Sequence, residues 1–418
     1  MKDKTVVIIG GGPAGMMAAI TAGEHCNNVI LVEKNSRLGK KLKITGGGRC
    51  NLTNDKEPAE IIDKVITNNK FLYKSLEAFT SQDLIKFMED NGCPVIIEDD
   101  GCVFPKSNNS SDVINIFYNL LKKNNVKLYL GKSTEEILIK NNKIESVKIN
   151  ENNIIACDSV ILATGGVSYP GTGSTGFGHK IANNLGHTIT PLKPALVPIE
   201  IKEKWITKLS GMSFENVAVK TKIANKLKTI QGDLLITHFG ISGPAVLKLS
   251  SYLNKLDPSS TKSRKQKLIG HSISIDFVPN IPHEELKEIF TSSKYSNKQV
   301  STLLTDYLPK NFVKELLENL EVDNNTSLNQ LTKKERGKII NSLKDFNITV
   351  KSLRDIKEAT VTSGGINTKE VNPKTMESKL IKGLYFAGEI LDVDALTGGY
   401  NLQIAFSTGY VAGINSVS

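Results

Sequence analysis

Cysteine is scarce in this chain. The 418 residues contain five, Cys26, Cys50, Cys93, Cys102 and Cys157, odd in number and widely spaced. No CxxC pair occurs and the six histidines do not fall at ligand spacing, so no metal site is expected. Few unpatterned cysteines suit a reducing compartment, and a cytoplasmic location is expected. Aromatic residues make up 6% with one Trp, too few for the stacking platforms of single-strand nucleic-acid binders. No apolar run approaches the roughly 18 residues of a transmembrane helix, so no membrane partner is expected. The apolar stretch 6–20 is broken by Gly10, Gly11, Gly12, Pro13 and Gly15, and lacks a basic segment followed by an unbroken apolar core, which argues against a signal peptide. Internal repeats and low-complexity tracts are also absent.

The rest of the composition is ordinary. Apolar residues are 39% and charged residues 23%, as in a folded globular chain. At about 150 residues per domain the length suggests two or three domains. The charge is not balanced: 53 Lys and Arg against 43 Asp and Glu leave +10. Such an excess raises nucleic acid as a partner, set against a Lys-rich enzyme with scattered charge.

The N-terminal segment carries the strongest signal. Residues 5–9 (TVVII) are a β-branched run that reads as a buried strand. GGGPAG follows at 10–15, with Gly10, Gly12 and Gly15 in the three positions of GxGxxG. A helix is expected from Met16 to Gly23 and a second strand over 28–32, ending at Glu33, 23 residues after Gly10. In such a unit the first glycine permits a tight turn. The second lets backbone approach a pyrophosphate, and the third lets helix pack on strand. The helix N-terminus offers free N–H groups to the phosphates, and an acid at the position of Glu33 accepts from ribose hydroxyls. A carboxylate there would repel a 2′-phosphate, which favours FAD or NAD over NADP.

Further glycine-rich segments follow. TGGGRCNLTN at 45–54 has three consecutive glycines, with Lys40, Lys41 and Arg49 as nearby positive charges. LATGG at 162–166 ends a strand, and the glycine-rich run 169–179 leads into a helix over 180–185 without the Lys-Ser/Thr of a nucleoside triphosphatase loop. Near the C-terminus GLYFAGE (383–389) reads as a strand, and TGGYNLQ (397–403) opens a closing helix over 404–414. N–H groups there could stabilise negative charge on a flavin edge.

Taken together, GGGPAG with Glu33 and Lys34, TGGGRCNLTN, LATGG, THFGISGPA (237–245), TSGGI (362–366) and GLYFAGEILDVDALTGGYNLQ (383–403) resemble the BaiN-type flavoprotein family, over essentially the whole chain. Its members include dehydro-bile-acid reductase-like and aminoacetone-oxidase-like proteins. The resemblance implies an α/β fold: a Rossmann-like FAD-binding domain, a doubly wound parallel sheet, with a β-rich barrel-like insert and a helical insert. The expected division is 1–190 plus 359–418 for FAD, 191–278 plus 346–358 for the β-rich insert, and 279–345 for the helical insert. It implies pyrophosphate and adenosine contacts at Gly10, Gly12, Pro13, Ala14, Gly15, Glu33, Lys34 and Thr134. Gly46, Gly47, Gly48, Arg49, Cys50 and Asn51 would border the flavin, Lys41 would help hold the pyrophosphate, and Thr164 and Gly165 would be further cofactor contacts. Gly388, Glu389, Asn401, Leu402 and Gln403 would hold its ribityl and pyrimidine end. Glu389 stands where many flavoproteins carry Asp.

The insert region has its own texture. Residues 217–223 and 272–278 alternate as half-buried strands, and the basic segment 255–267 between them reads as a solvated loop. From 279 to 343 apolar residues recur at helical spacing, in stripes such as Phe312, Val313, Leu316, Leu317 and Leu320.

A flavin would supply the redox chemistry, leaving the protein to orient substrate and handle protons. His238 is the best proton-handling candidate, and Arg49 could bind a substrate carboxylate or the flavin edge. Asp392 and Asp394 could meet a cationic substrate or cap a helix; Tyr169 and Tyr400 could face the ring. Only one dinucleotide fingerprint is complete, so either NAD(P)H visits the flavin site transiently as donor, or another donor or oxygen exchanges the electrons. The expected function is an FAD-dependent oxidoreductase that reduces an activated C=C bond or oxidises a small organic molecule. A flavin-dependent amine oxidase and an FAD-dependent RNA-modifying enzyme are the alternatives. Lys34, Lys40, Lys41 and Arg49 place part of the positive excess at cofactor positions, so a small-molecule substrate is expected and nucleic acid is not. The sequence does not set the oligomeric state.

Overall fold

A computed structural model describes residues 2–150, 153–256 and 267–418. The chain divides into two compact units, Met1–Pro194 with Ile356–Ser418, and Ala195–Asp355. Among the described residues no helix is long and apolar enough to cross a membrane.

The first unit is built on a five-stranded parallel sheet. Its strands are β1 (Lys2–Ile9), β2 (Cys26–Glu33), β3 (Lys127–Leu130), β4 (Ser159–Leu162) and β5 (Leu384–Phe386), in the spatial order β5-β4-β1-β2-β3. Val6, Val7, Ile8, Val160, Ile161 and Leu162 are wholly buried, as expected of strands covered on both faces. The first helix, α1 (Pro13–Gly23), starts three residues earlier than the sequence suggests. Pro13 sits in its first turn, where the fixed φ fits and the missing N–H costs nothing. The closing helix α2 (Tyr400–Ser416) likewise starts early, because Gly399 adopts φ +89 and ends the preceding loop there. The two helices pack backbone to backbone. A Cβ on Gly409 would lie 2.4 Å from the Ala14 carbonyl oxygen, and one on Gly413 would lie 2.6 Å from that of Ala18.

The second unit is a closed six-stranded antiparallel barrel with helices. Around the barrel run Ile199–Ile201, Gly240–Ser242, Lys226–Thr237, Ser213–Ile223, Ser272–Asp276 and Phe346–Leu353. Val217, Val219, Ile273, Ile275, Ile348 and Val350 are buried at every second position. Helices His283–Thr291, Val300–Leu304, Lys310–Asn319 and Lys333–Lys344 bury their stripes in the same apolar cluster as the barrel. Phe312 of the helices lies 5.0 Å from Phe214 and 5.2 Å from Phe277, so barrel and helices share one core.

The net charge is unevenly divided. Residues 195–355 contain 25 Lys and Arg against 17 Asp and Glu, an excess of 8 out of the chain's +10. The first unit, which carries Lys34, Lys40, Lys41 and Arg49, holds the remaining +2, so most of the excess lies in the insert region. Lys262, Arg264 and Lys265 of the basic segment lie outside the described residues.

Candidate functional site

The loop between β1 and α1 separates its glycines by role. A Cβ on Gly10 would sit 2.5 Å from the Ala163 carbonyl oxygen, and one on Gly15 would sit 1.8 Å from that of Gly10. These two glycines are required by packing. Gly12, the N-cap of α1, faces open space with no atom within 4 Å of an added Cβ. Behind it, Ala14 and Gly15 have backbone N–H groups without an intrahelical acceptor. This is a cradle shaped for a pyrophosphate.

Glu33 lies at the edge of that cradle and is buried. Its Oε2 accepts from the Gly11 N–H at 2.7 Å, and its Oε1 accepts from the Asn35 N–H at 2.7 Å and the Asn35 amide at 2.6 Å. With about four acceptor positions on a carboxylate, one on Oε2 remains for a ribose hydroxyl. Gly11 and Asn35 were not singled out from sequence. The middle glycine of the GGG run, at a variable position of GxGxxG, was the available signal, since a Cβ on Gly11 would strike Leu38 and Glu33. Asn35 also donates to Thr172 O at 3.0 Å and Lys34 to Thr175 at 3.0 Å, which ties the glycine-rich run 169–179 to the end of β2. Thr134, at the start of strand Thr134–Lys140, is buried with a hydroxyl oxygen that has no partner.

A second constellation joins four distant segments. Lys41 donates to Ser168 at 2.7 Å and to Glu389 at 2.8 Å. Glu389 also accepts from the Thr362 N–H at 2.8 Å and the Ser168 hydroxyl at 3.1 Å. Burial pushes the Glu389 carboxyl up, but Lys41 and these hydrogen bonds outweigh it and hold the group below its ordinary range. Gly165 is adjacent: a Cβ there would lie 3.8 Å from Glu389 Oε2. Gly388 brings this segment onto α1, with its Cβ position 2.8 Å from that of Ala14. Ser168 had no motif to mark it, and Thr362, although it opens the TSGGI segment, was given no role of its own. Thr164 contributes a buried hydroxyl oxygen without a partner, beside Gly178.

The segment 46–51 folds as a tight turn. Gly46, Gly47 and Gly48 have φ of +57, +67 and +92, and added Cβ atoms on Gly47 and Gly48 would meet nothing. Arg49 is already engaged: it pairs with Glu98, donates to Asn108 at 2.9 Å and lies 3.8 Å over the Phe104 ring. Asn51, with its amide oriented to satisfy both ends, donates to Thr53 O at 2.9 Å and accepts from Gly399 N at 3.2 Å. Cys50 is wholly buried, and burial pushes its thiol up to about 12. A thiol so placed is inert. Folded protein should therefore leave Cys50 unmodified by iodoacetamide at mildly alkaline pH, with labelling only after denaturation; peptide mass mapping reads the difference.

At the start of α2 the side chains hold the protein rather than face outward. Asn401 accepts from Ala395 N at 3.0 Å and donates to Ala395 O at 2.9 Å and Leu396 O at 3.2 Å. Gln403 is buried, accepts from Thr53 and donates to Phe79 O and Ser407, while its N–H closes the first turn on Gly399 O. The N–H groups of Asn401 and Leu402 are the donors this helix start leaves for a ligand. Tyr400 is buried, with its phenol pushed up to about 12, whereas Tyr169 is exposed. Asp394 accepts from Ser363 at 2.8 Å and from Thr67, and Asp392 from Asn68 at 3.0 Å. His238 belongs to the other unit, exposed beside Phe239 between strands Lys226–Thr237 and Gly240–Ser242.

The parallel sheet, the open cradle at Gly12, the acid at the end of β2 and the buried hydroxyls of Thr134 and Thr164 fit FAD. They define a Rossmann-type FAD-dependent oxidoreductase. The chain belongs to the HI0933-like family: residues 4–415 match the HI0933-like protein Rossmann domain. It is 31% identical to a 3-dehydro-bile acid delta(4,6)-reductase of Clostridium scindens, covering 97% of both chains. It is also 31% identical to a ribosomal RNA dihydrouridine synthase of Escherichia coli, over 98% of this chain and 97% of that one. Its fold is similar to that of a 3-ketosteroid delta1-dehydrogenase from Sterolibacterium denitrificans, with a TM-score of 0.53 and 11% identity over the full length of both chains. An RNA enzyme among such relatives removes the ground for excluding nucleic acid.

Proposed function

We propose that this enzyme reduces a carbon–carbon double bond conjugated to a carbonyl group, and that its substrate is a uridine of ribosomal RNA. One observation supports the reaction class: two relatives of equal identity are named for different molecules but the same chemistry. A dienone and a uracil ring each carry a C=C bond polarised by a carbonyl. Reduction adds a hydride to the carbon β to that carbonyl and a proton to the α carbon. In uracil these are C6 and C5. FAD bound here and reduced by NADH or NADPH would supply the hydride, being reoxidised as the double bond is reduced.

The chain's own groups have the following roles in this reading. Gly12, Pro13, Ala14 and Lys34 receive the pyrophosphate end, and Glu33 and Thr134 the adenosine. Lys41 and Glu389, with Thr164 and Gly165, hold the segments that flank the flavin. Asn401 and Leu402 present N–H groups to developing negative charge. Arg49 keeps Gly46–Gly48 in place through Glu98, Asn108 and Phe104.

The excess of 8 positive charges in residues 195–355 favours RNA over a steroid as substrate. The test uses FAD-loaded protein, NADH or NADPH, and ribosomal RNA from a strain deleted for this gene. A parallel arm supplies a 3-keto-4,6-diene steroid. Nuclease digestion and mass spectrometry should show the gain of two hydrogens on one uridine. Product in the steroid arm alone would move the substrate to small enones. No product in either arm, with the flavin reduced by the donor, would sink the reaction class.

A further inference from the structure

We infer that the outer face of the barrel in residues 195–355 binds the RNA backbone, through a basic groove remote in sequence from every cofactor residue. The inference rests on RNA as substrate and assigns the surface that holds it. The groove has a volume of about 670 Å³, and its lining includes Lys220, Lys222, Lys267, Ser272, Ser274 and Asn347.

The strand pattern explains why these side chains face outward. On strand Ser213–Ile223 the odd positions Val217 and Val219 fill the barrel, so Lys220 and Lys222 project from it. Lys220 pairs in register with Ser274, and Ser274 with Asn347, so a cation, a hydroxyl and an amide lie in one row across three strands. Such groups donate to phosphate and ribose oxygens. Lys220 is already paired with Asp276 at 3.0 Å, and Asp345, which accepts from Ser274, adds a negative charge to the groove. Lys222 and Lys267 are exposed and have no ion-pair partner among the described residues.

Leu227 and Ile269, 59% and 55% exposed, line the groove as well. They offer apolar contact, and among the described residues no Phe, Tyr or Trp lines the groove; its ring is the His271 imidazole, held by the Thr221 hydroxyl at 2.7 Å. The groove therefore reads phosphates rather than base identity, and binding there depends steeply on salt. A bilayer presents a flat surface, which a concave row of this kind does not match.

The test compares the full FAD-loaded chain with Lys222→Glu/Lys267→Glu. The milder pair Lys222→Gln/Lys267→Gln serves if charge reversal impairs folding, and melting temperature and flavin spectrum verify each. The probes are a fluorescein-labelled single-stranded RNA, phosphatidylserine vesicles and polyglutamate. The wild type should bind the RNA, and the double variant should bind on the order of tenfold more weakly at about 0.1 M salt, with the slope against log salt reduced by about 1 to 2. Equal RNA affinity in both proteins overturns the inference. So does loss of vesicle or polyglutamate binding with RNA binding intact. If the variant loses RNA but wild type makes no reduced uridine, the groove stands and the proposed reaction falls. If both proteins modify subsaturating RNA equally, the reaction stands and the groove falls.

Discussion

Gly12→Asp is expected to yield a folded but colourless protein. Gly12 has φ −83 and ψ −176, an extended conformation open to any residue, and an added side chain enters empty space. It is also the N-cap of α1, where Asp is among the preferred residues, so the helix itself should not weaken. The carboxylate would take up the N–H groups meant for the pyrophosphate and repel its charge. At contact distance that repulsion is worth on the order of 3 kcal/mol or more, a loss of at least about a hundredfold in FAD affinity. Gly15→Ala should behave in the opposite way. Its Cβ would lie 1.8 Å from a backbone oxygen, so β1 and α1 must move apart, at a cost of about 3 kcal/mol. Flavin absorbance after denaturation and melting followed by circular dichroism separate the two outcomes. Full FAD occupancy in Gly12→Asp would show that the cradle holds something else.

The contrast between those glycines marks what was legible in sequence. The strand–turn–helix–strand unit could be read because each part has a local cause: β-branched residues, three glycines at fixed spacing, a proline in the first turn, an acid at the strand end. The barrel strand at Val217–Ile223 and the helical stripe at Phe312–Leu320 were legible for the same reason, through period 2 and period 3.6. Partnerships across the chain were not. Nothing in the spacing joins Lys41 to Glu389, or Thr172 to Asn35, because those contacts arise only when the sheet is assembled. Nor could sequence show that Gln403 and Asn401 spend their side chains on loops of their own unit. The charge was countable from the start, but its meaning depended on where the chain divides.

Breaking the Lys41–Glu389 pair should have the second large effect. Only about a fifth of each side chain is open to solvent, 23% and 21%. Lys41→Met removes the cation and leaves the carboxylate with two hydrogen bonds, from Thr362 and Ser168. Removing one partner of a buried pair costs about 3 to 5 kcal/mol, and partial exposure lowers that here to roughly 2 to 3 kcal/mol. Glu389→Gln should cost a similar amount, since it strands the ammonium. The double variant should recover much of the loss, because two neutral groups carry no uncompensated charge. The pH dependence follows from the lowered folded value of Glu389, whose ordinary value is 4.5. A depressed carboxyl contributes stability that is complete above its unfolded value and vanishes as pH falls through its folded one. The wild type should thus lose melting temperature more steeply than Glu389→Gln on acidification below about 4.5. The same acidification releases the tie between the segments carrying Lys41, Ser168 and Thr362, so FAD release should follow the same pH course in the wild type. If melting curves of wild type and Glu389→Gln run parallel through that range, the pair does not hold the site together.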